Sequence, residues 1–157
     1  MEIRLFKSED AAETAQVIAE TLRKSNGKDY PQQYIEKNIA SHSADALIKL
    51  AKERHMYVVC DEGRIVGTGG IAGYWGSITE SILLTIFVLP QYQGRGIGRQ
   101  IIDTLEHDEY FIRAKRIEIP ASITAVEFYR KMKYDYKDGN AKLENGLLYR
   151  LEKFRSI

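Results

Sequence analysis

The chain has almost none of the residues that staple or ligate. A single cysteine, Cys60, excludes an internal disulfide. The three histidines, His42, His55 and His107, are scattered and form no HExxH motif, and no Cys/His cluster has zinc-ligand spacing, so no metal is expected. Proline occurs only at Pro31, Pro90 and Pro120, where it reads as punctuation rather than as a linker. Excess charge of either sign is also missing. The 23 Lys and Arg against 22 Asp and Glu leave +1, which excludes a general polyanion binder and predicts no nucleic-acid partner. No segment approaches the ~20 apolar residues of a membrane span. The longest apolar run, Ile82 to Pro90, is strand-sized and broken only by Thr85. The opening MEIRLFKSED lacks the apolar stretch of a signal peptide, so the expectation is a cytoplasmic protein with no membrane partner.

What remains is an ordinary globular composition, 44% hydrophobic and 29% charged, over 157 residues. That length predicts a single domain, residues 1–157, with a sizeable core. Residues 2–6 alternate as a strand. Ser8 offers an N-cap, and Ala11, Ala15, Ile18 and Leu22 mark a helix ending near Asn26-Gly27. Residues 31–55 read as two helices broken at Ser41-His42-Ser43, with Ala46, Leu47 and Leu50 on the buried face of the second. Strands follow over 56–60, 64–74 and 79–89, the first two joined by an Asp61-Glu62-Gly63 hairpin turn. A helix is predicted from the glycine triplet to about Ala114, with Ile97, Ile101 and Leu105 spaced by four. Then come a strand over 116–119, a helix over 122–133 carrying Ala125, Tyr129 and Met132 on one face, and strands over 134–137 and 147–152. The order β-α-α-β-β-β-α-β-α-β-β predicts an α+β fold, a mixed and mostly antiparallel sheet flanked by helices.

Glycine is ordinary in number and unusual in placement. Nine of the twelve glycines lie between Gly63 and Gly98. Gly67, Gly69, Gly70 and Gly73 load one predicted strand, and either thin the backbone beside a channel or mark a bulge. Gly94, Gly96 and Gly98 sit where a strand gives way to a helix. Helix N-termini present unpaired N–H groups and partial positive charge, so Gln93-Gly94-Arg95-Gly96-Ile97-Gly98-Arg99 is either an anion site or a plain loop and cap. It is not a P-loop, because Arg99 follows Gly98 where lysine is required. It is not a GxGxxG dinucleotide fingerprint, because Arg99 occupies the third glycine position.

The segment from Ile86 to Gly98 resembles the acetyl-CoA signature of the GNAT superfamily of N-acetyltransferases, and Ser122 to Tyr134 resembles its later Asn-x-x-Ala-x-x-Phe-Tyr-x-Lys-x-Gly-Phe/Tyr pattern. The resemblance implies an N-acetyltransferase that moves the acetyl group of acetyl-CoA to a primary amine of a small molecule or peptide, as monomer or homodimer. It implies that Gln93, Gly94, Arg95, Gly96, Ile97, Gly98 and Arg99 hold the pyrophosphate. Ile86, Phe87 and Val88 would pair through their backbone with the pantetheine arm, beside a bulge where two strands splay. Tyr129 would be the acid for the departing thiolate, with Phe128 beside it. By periodicity alone, Tyr129 is instead a core residue with its hydroxyl bonded nearby.

Two positions depart from the family pattern. Ser122 replaces the asparagine that meets pantetheine, and Lys133 replaces the glycine before the last aromatic; a left-handed lysine is costly, so a different helix end is expected. Glu80 is the sequence's candidate general base, the alternative being proton loss to water; Ile82 is apolar where the family commonly has an acid. A non-catalytic acyl-CoA-binding module of the same fold is the alternative function. Residues 28–55 and 134–149 would frame the acceptor, with Tyr30, Tyr34, Tyr74, Trp75 and Tyr136 as candidate walls and Asp29, Asp138 and Glu144 as candidate attractors of an amine.

Overall fold

A computed structural model describes residues 1–155. Seven strands form one sheet in the order β1-β2-β3-β4-β5-β7-β6. They are β1 (Glu2–Leu5), β2 (His55–Asp61), β3 (Arg64–Gly73), β4 (Glu80–Val88), β5 (Arg116–Ser122), β6 (Asp135–Tyr136) and β7 (Leu148–Phe154). All pairings are antiparallel except β4 with β5. The α+β architecture read from the sequence is therefore the observed one. The helices are α1 (Ala11–Thr21), α2 (Gln32–Ala40), α3 (Ala44–Leu50), α4 (Ile97–Leu105), α5 (Glu109–Ile112) and α6 (Val126–Lys131).

The two faces of the sheet follow from strand alternation. On β3, Gly67, Gly69 and Ile71 face α4: a Cβ on Gly67 or Gly69 would meet Ile101. Gly70 faces the other way, toward Met56 and Arg54, on the side where α1, α2 and α3 bury Ile18, Ile35 and Leu47. The expected stripe of α4 is fully buried at Ile97, Ile101 and Leu105. Of the expected stripe of α3, only Leu47 is buried; Ala46 and Leu50 are half-buried. The hairpin turn at Glu62-Gly63 has both residues at positive φ (49° and 80°), the backbone a two-residue turn requires.

Several element ends differ from expectation, each for a local reason. The α1 helix is preceded by a 3-10 turn, Ser8–Asp10. Here Asp10, rather than Ser8, holds the entry: its carboxylate accepts from Lys7 N–H (2.7 Å) and from both terminal nitrogens of Arg4 (2.8 and 2.9 Å). The long helix predicted to reach Ala114 is two. It stops at Leu105, and the Asp108 carboxylate, which accepts from Tyr110 N–H (2.8 Å) and Tyr57 O–H (2.6 Å), caps a new one. Strand β5 runs three residues beyond Ile119, with Pro120 tolerated because β5 has by then lost β4 as its neighbour. Lys133 does adopt the left-handed conformation (φ 75°), against expectation. The gain that offsets the strain is Tyr134, which the turn drives into the core: Tyr134 N–H bonds the Tyr129 carbonyl (3.1 Å), its ring is fully buried, and its hydroxyl donates to Glu106 (2.8 Å).

Candidate active site

The site begins with a defect in β4. Register between β3 and β4 shifts between Thr68 and Gly70, and the extra residue lies on β4. Thr85 occupies it at φ 58°, a strained conformation for a β-branched residue. The bulge bends β4 away from β5, whose pairing ends after Glu80–Ile82 with Arg116–Glu118. Leu83 to Val88 thus have no strand on that side.

Alternation says which backbone groups are free there. Leu89 N–H bonds the Val66 carbonyl (2.9 Å), so Leu89 and Phe87 direct their backbone toward β3. Val88, opposite Gly67 in the intervening non-bonded pair, directs its N–H and carbonyl to the open edge, and Ile86 does likewise. The Val88 carbonyl is already taken, by Gln93 Nε2 (2.9 Å) and Thr21 Oγ1 (3.3 Å). Ile86 and the Val88 N–H are left for an extended ligand. Phe87 differs from its neighbours: its ring turns toward α2 and stands edge-on to His42 (5.7 Å between centroids).

Beyond β4 the chain passes a short turn and enters α4. Gly94 and Gly96 are both left-handed (φ 78° and 82°), conformations that only glycine adopts without strain, and no atom lies within 4 Å of where a Cβ would stand. The first α4 bond runs from Gln100 N–H to the Gly96 carbonyl (3.1 Å), which leaves the N–H groups of Ile97, Gly98 and Arg99 aimed out of the helix start. Arg99 lines the cavity described below, whereas Arg95 lies over the Tyr92 ring (4.9 Å). Gln93 does not reach forward; its amide also donates to Ser25 (3.0 Å) and ties the loop to the π-helical turn Leu22–Asn26 that follows α1. Ile97 contributes backbone only, since its side chain is core. Gly98 has a packing role: a Cβ there would come within 3.0 Å of the Phe128 ring.

These elements enclose one cavity of about 680 Å³ that runs from the start of α4, along the open edge of β4, to α2 and β7. Tyr129, Phe128, Ser122 and Thr124 form its far wall. The Tyr129 side chain is buried and its hydroxyl makes no hydrogen bond within the described residues; burial pushes the phenol well above its usual pKa. Ser122 Oγ accepts from Ala125 N–H (3.1 Å), and Thr124 Oγ1 donates to Asp29 (2.6 Å).

Glu80 is not brought to this cavity. It sits at the paired end of β4 and accepts from Arg116 (3.2 Å), which also donates to Glu152 (2.7 Å) and to buried Glu118. Of the aromatic candidates, Tyr30 and Tyr34 line the cavity and stack on each other (4.7 Å), while Tyr74, Trp75 and Tyr136 do not line it. Tyr30 closes the floor by donating to the Leu147 carbonyl and accepting from Ile123 N–H (2.9 Å). Asp29, Asp138 and Glu144 do not line the cavity either, and Glu144 is held by Arg150 through two bonds of 3.0 Å. Cys60 lies near the end of β2, between Glu2 of β1 and Ile65 of β3, half-buried, with burial holding its thiol above the ordinary pKa.

One residue at the site had no signal in the sequence. His42, in the break between α2 and α3, lines the cavity beside Phe87. Its Nδ1 lies 2.8 Å from the Asn38 carbonyl, which can only accept, so Nδ1 carries the proton and Nε2 carries a lone pair. Nε2 makes no hydrogen bond within the described residues. Burial, with the nearby charge of Arg54, lowers the imidazole pKa and keeps the ring neutral at pH 7.

Among the described residues no group of three or more His, Cys, Asp or Glu could hold a metal ion, and no helix is long and apolar enough to cross a membrane. The fold has close counterparts among solved structures. A GCN5-related N-acetyltransferase from Rhodopseudomonas palustris aligns over 98% of this chain and 95% of its own, with a TM-score of 0.80 and 24% identity. The PaiA N-acetyltransferase from Thermoplasma acidophilum, solved with coenzyme A, aligns over 98% of both chains with a TM-score of 0.80 and 17% identity. An aminoglycoside 6'-N-acetyltransferase, also with coenzyme A, aligns over 98% and 97% with a TM-score of 0.71 and 19% identity. No curated protein sequence matches the chain. The model of the acetyltransferase (GNAT) domain family matches residues 52–135, from the end of α3 through the bulged strand, the glycine loop and Tyr129 to β6, so the chain belongs to the GNAT acetyltransferase family.

Proposed function

We propose that the protein transfers the acetyl group of acetyl-CoA to a primary amine by direct attack within a ternary complex. The observation that carries this reading is the convergence of three features on one cavity: the open β4 edge at Ile86 and Val88, the unpaired N–H groups at the start of α4, and the unbonded Tyr129 hydroxyl. The pyrophosphate of the donor meets the N–H groups from Gly94 to Arg99 and the Arg99 charge. The amides of its pantetheine arm add an extra strand to β4. The Val88 N–H then faces the thioester carbonyl and stabilises the oxyanion that forms on attack.

The amine nitrogen attacks the thioester carbon to form the N–C bond, and collapse of the oxyanion then breaks the C–S bond. Tyr129, kept protonated by its burial, donates to the departing sulfur. In the same apolar wall a bare thiolate is destabilised, so the hydrogen bond from the protonated phenol offsets the charge that develops on sulfur as the C–S bond breaks. The proton lost by the amine goes to His42 Nε2, the unbonded ring nitrogen of a residue that lines the same cavity. Glu80, locked to Arg116 at the other end of the strand, has no part in this scheme.

A thiol-release assay with acetyl-CoA and a panel of primary amines tests the proposal. Amine-dependent release of CoA is the expected result. Isothermal titration showing no binding of acetyl-CoA would defeat it, and binding without release from any amine would leave an acyl-CoA-binding module.

A further inference from the structure

The cavity lies where β4 and β5 part, and the hydrogen-bond pattern shows which rung is the first to be missing. Arg116 N–H bonds the Thr79 carbonyl (3.4 Å), and the parallel register pairs Glu80–Ile82 with Arg116–Glu118. Arg116 and Glu118 therefore direct their backbone to β4. Glu118 N–H meets the Ser81 carbonyl, and the Glu118 carbonyl meets Leu83 N–H. The other edge of β5 agrees. Arg155 N–H bonds the Lys115 carbonyl (2.8 Å), so Lys115, Ile117, Ile119 and Ala121 serve β7. Pro120, opposite Arg150, is turned toward β4 like Glu118.

The next rung would run from the N–H of residue 120 to the Leu83 carbonyl. Residue 120 is proline and has no N–H. The ladder stops at this rung, before β4 reaches its bulge at Thr85. Leu83, Thr85 and Pro120 all line the cavity, and Leu83 is fully buried. A buried carbonyl that has lost its ladder donor is a standing drive to pair. Any residue with an N–H at position 120 would meet it and draw the strands together at the base of the cleft. A proline tolerated at an open edge thus also keeps that edge open. The sequence shows the proline; only the register sets it against Leu83.

Resting on the transferase reading above, we infer that Pro120 is a positioning residue: by withholding one backbone N–H it holds the β4–β5 cleft open for the pantetheine arm of acetyl-CoA.

The test compares the full chain as wild type, Pro120→Ala and Pro120→Val. Both variants regain the N–H, and valine also keeps most of the apolar bulk of the ring. Calorimetry with acetyl-CoA is expected to show affinity reduced roughly 2- to 10-fold in both, the scale of one net hydrogen bond that binding must break. The loss falls on KM for acetyl-CoA rather than on kcat, because the paired form competes with donor binding and not with the bound complex. In the ligand-free variants the new amide at position 120 is protected from hydrogen exchange, and saturating acetyl-CoA removes that protection. Thermal melts confirm that both variants fold. Wild-type affinity in Pro120→Ala, a freely exchanging amide at position 120, or a loss confined to kcat overturns the inference and leaves the transferase reading intact. So does wild-type affinity in Pro120→Val alone, which would assign the effect to packing of the ring. Absence of acetyl-CoA binding in the wild type overturns both.

Discussion

A methyl group on Gly69 would stand 2.4 Å from the Cγ2 of Ile101, inside any permitted contact. Gly69 lies across from the bulged stretch of β4, and Ile101 is the buried centre of α4. The absent side chain lets the helix that follows the glycine loop sit directly on the strand pair that opens the β4 edge. Gly69→Ala therefore overpacks this contact. A loss of about 1–3 kcal/mol is expected, read as a lowered midpoint in urea denaturation.

Tyr129 is the only phenol proposed to touch the leaving sulfur. Tyr129→Phe keeps the ring and the packing of α6 but removes the donor. Turnover should fall by about 10²-fold or more, the usual scale for a lost general acid, with acetyl-CoA affinity by calorimetry little changed. Undiminished turnover would remove the acid role.

His42 acts as a base only when neutral. Burial first, and the Arg54 charge in addition, hold its pKa below the usual imidazole value of ~6.5. In wild type, kcat/KM should therefore stay level as pH falls toward ~6.5 for an acceptor whose amine ionisation is corrected for, and drop at lower pH. His42→Ala should lower kcat by about 10²-fold and abolish that acidic limb. A limb that survives the substitution belongs to another group.

Glu118 is fully buried at the centre of an ion network outside the cavity, with Lys137 and Arg150 each at 3.1 Å and Arg116 closer still. Burial alone would raise its pKa; the hydrogen bonds from Arg116 and Lys137 outweigh that and hold it below the ordinary carboxylate value. The stabilisation is present above the ordinary carboxylate range and is lost as pH falls through it. Glu118→Gln should cost about 3 kcal/mol at pH 7, because three cations then face an uncharged amide. The gap from wild type in chemical denaturation should narrow below about pH 4.

Arg99 brings a full charge to the start of α4. Arg99→Ala should weaken acetyl-CoA binding by about tenfold, with a smaller effect at high salt because the contact is electrostatic. An equal loss at all salt concentrations would assign Arg99 to packing instead.

Local pattern was enough to expose α4 and the loop before it. The Ile97, Ile101 and Leu105 stripe, the hairpin at Glu62-Gly63 and the left-handed glycines of the loop are short-range features, governed by helical period and by φ. Where such rules failed, a distant partner intervened. Lys133 tolerates a glycine conformation because the core gains Tyr134, and α4 stops early because Asp108 is held by Tyr57, 51 residues away.

The acceptor side was not legible. Glu80 looked available because sequence carries no sign of Arg116 beside it, and His42 looked like a helix break because nothing local points to Phe87. Period and glycine spacing determine that this chain builds an α+β sheet with a glycine loop at a helix start, since those properties act within a turn or a strand. Which strand edge stays open, which phenol lacks a partner and which histidine meets the cavity were decided only by tertiary structure. Each depends on what packing removes from reach, and long-range contacts alone set that.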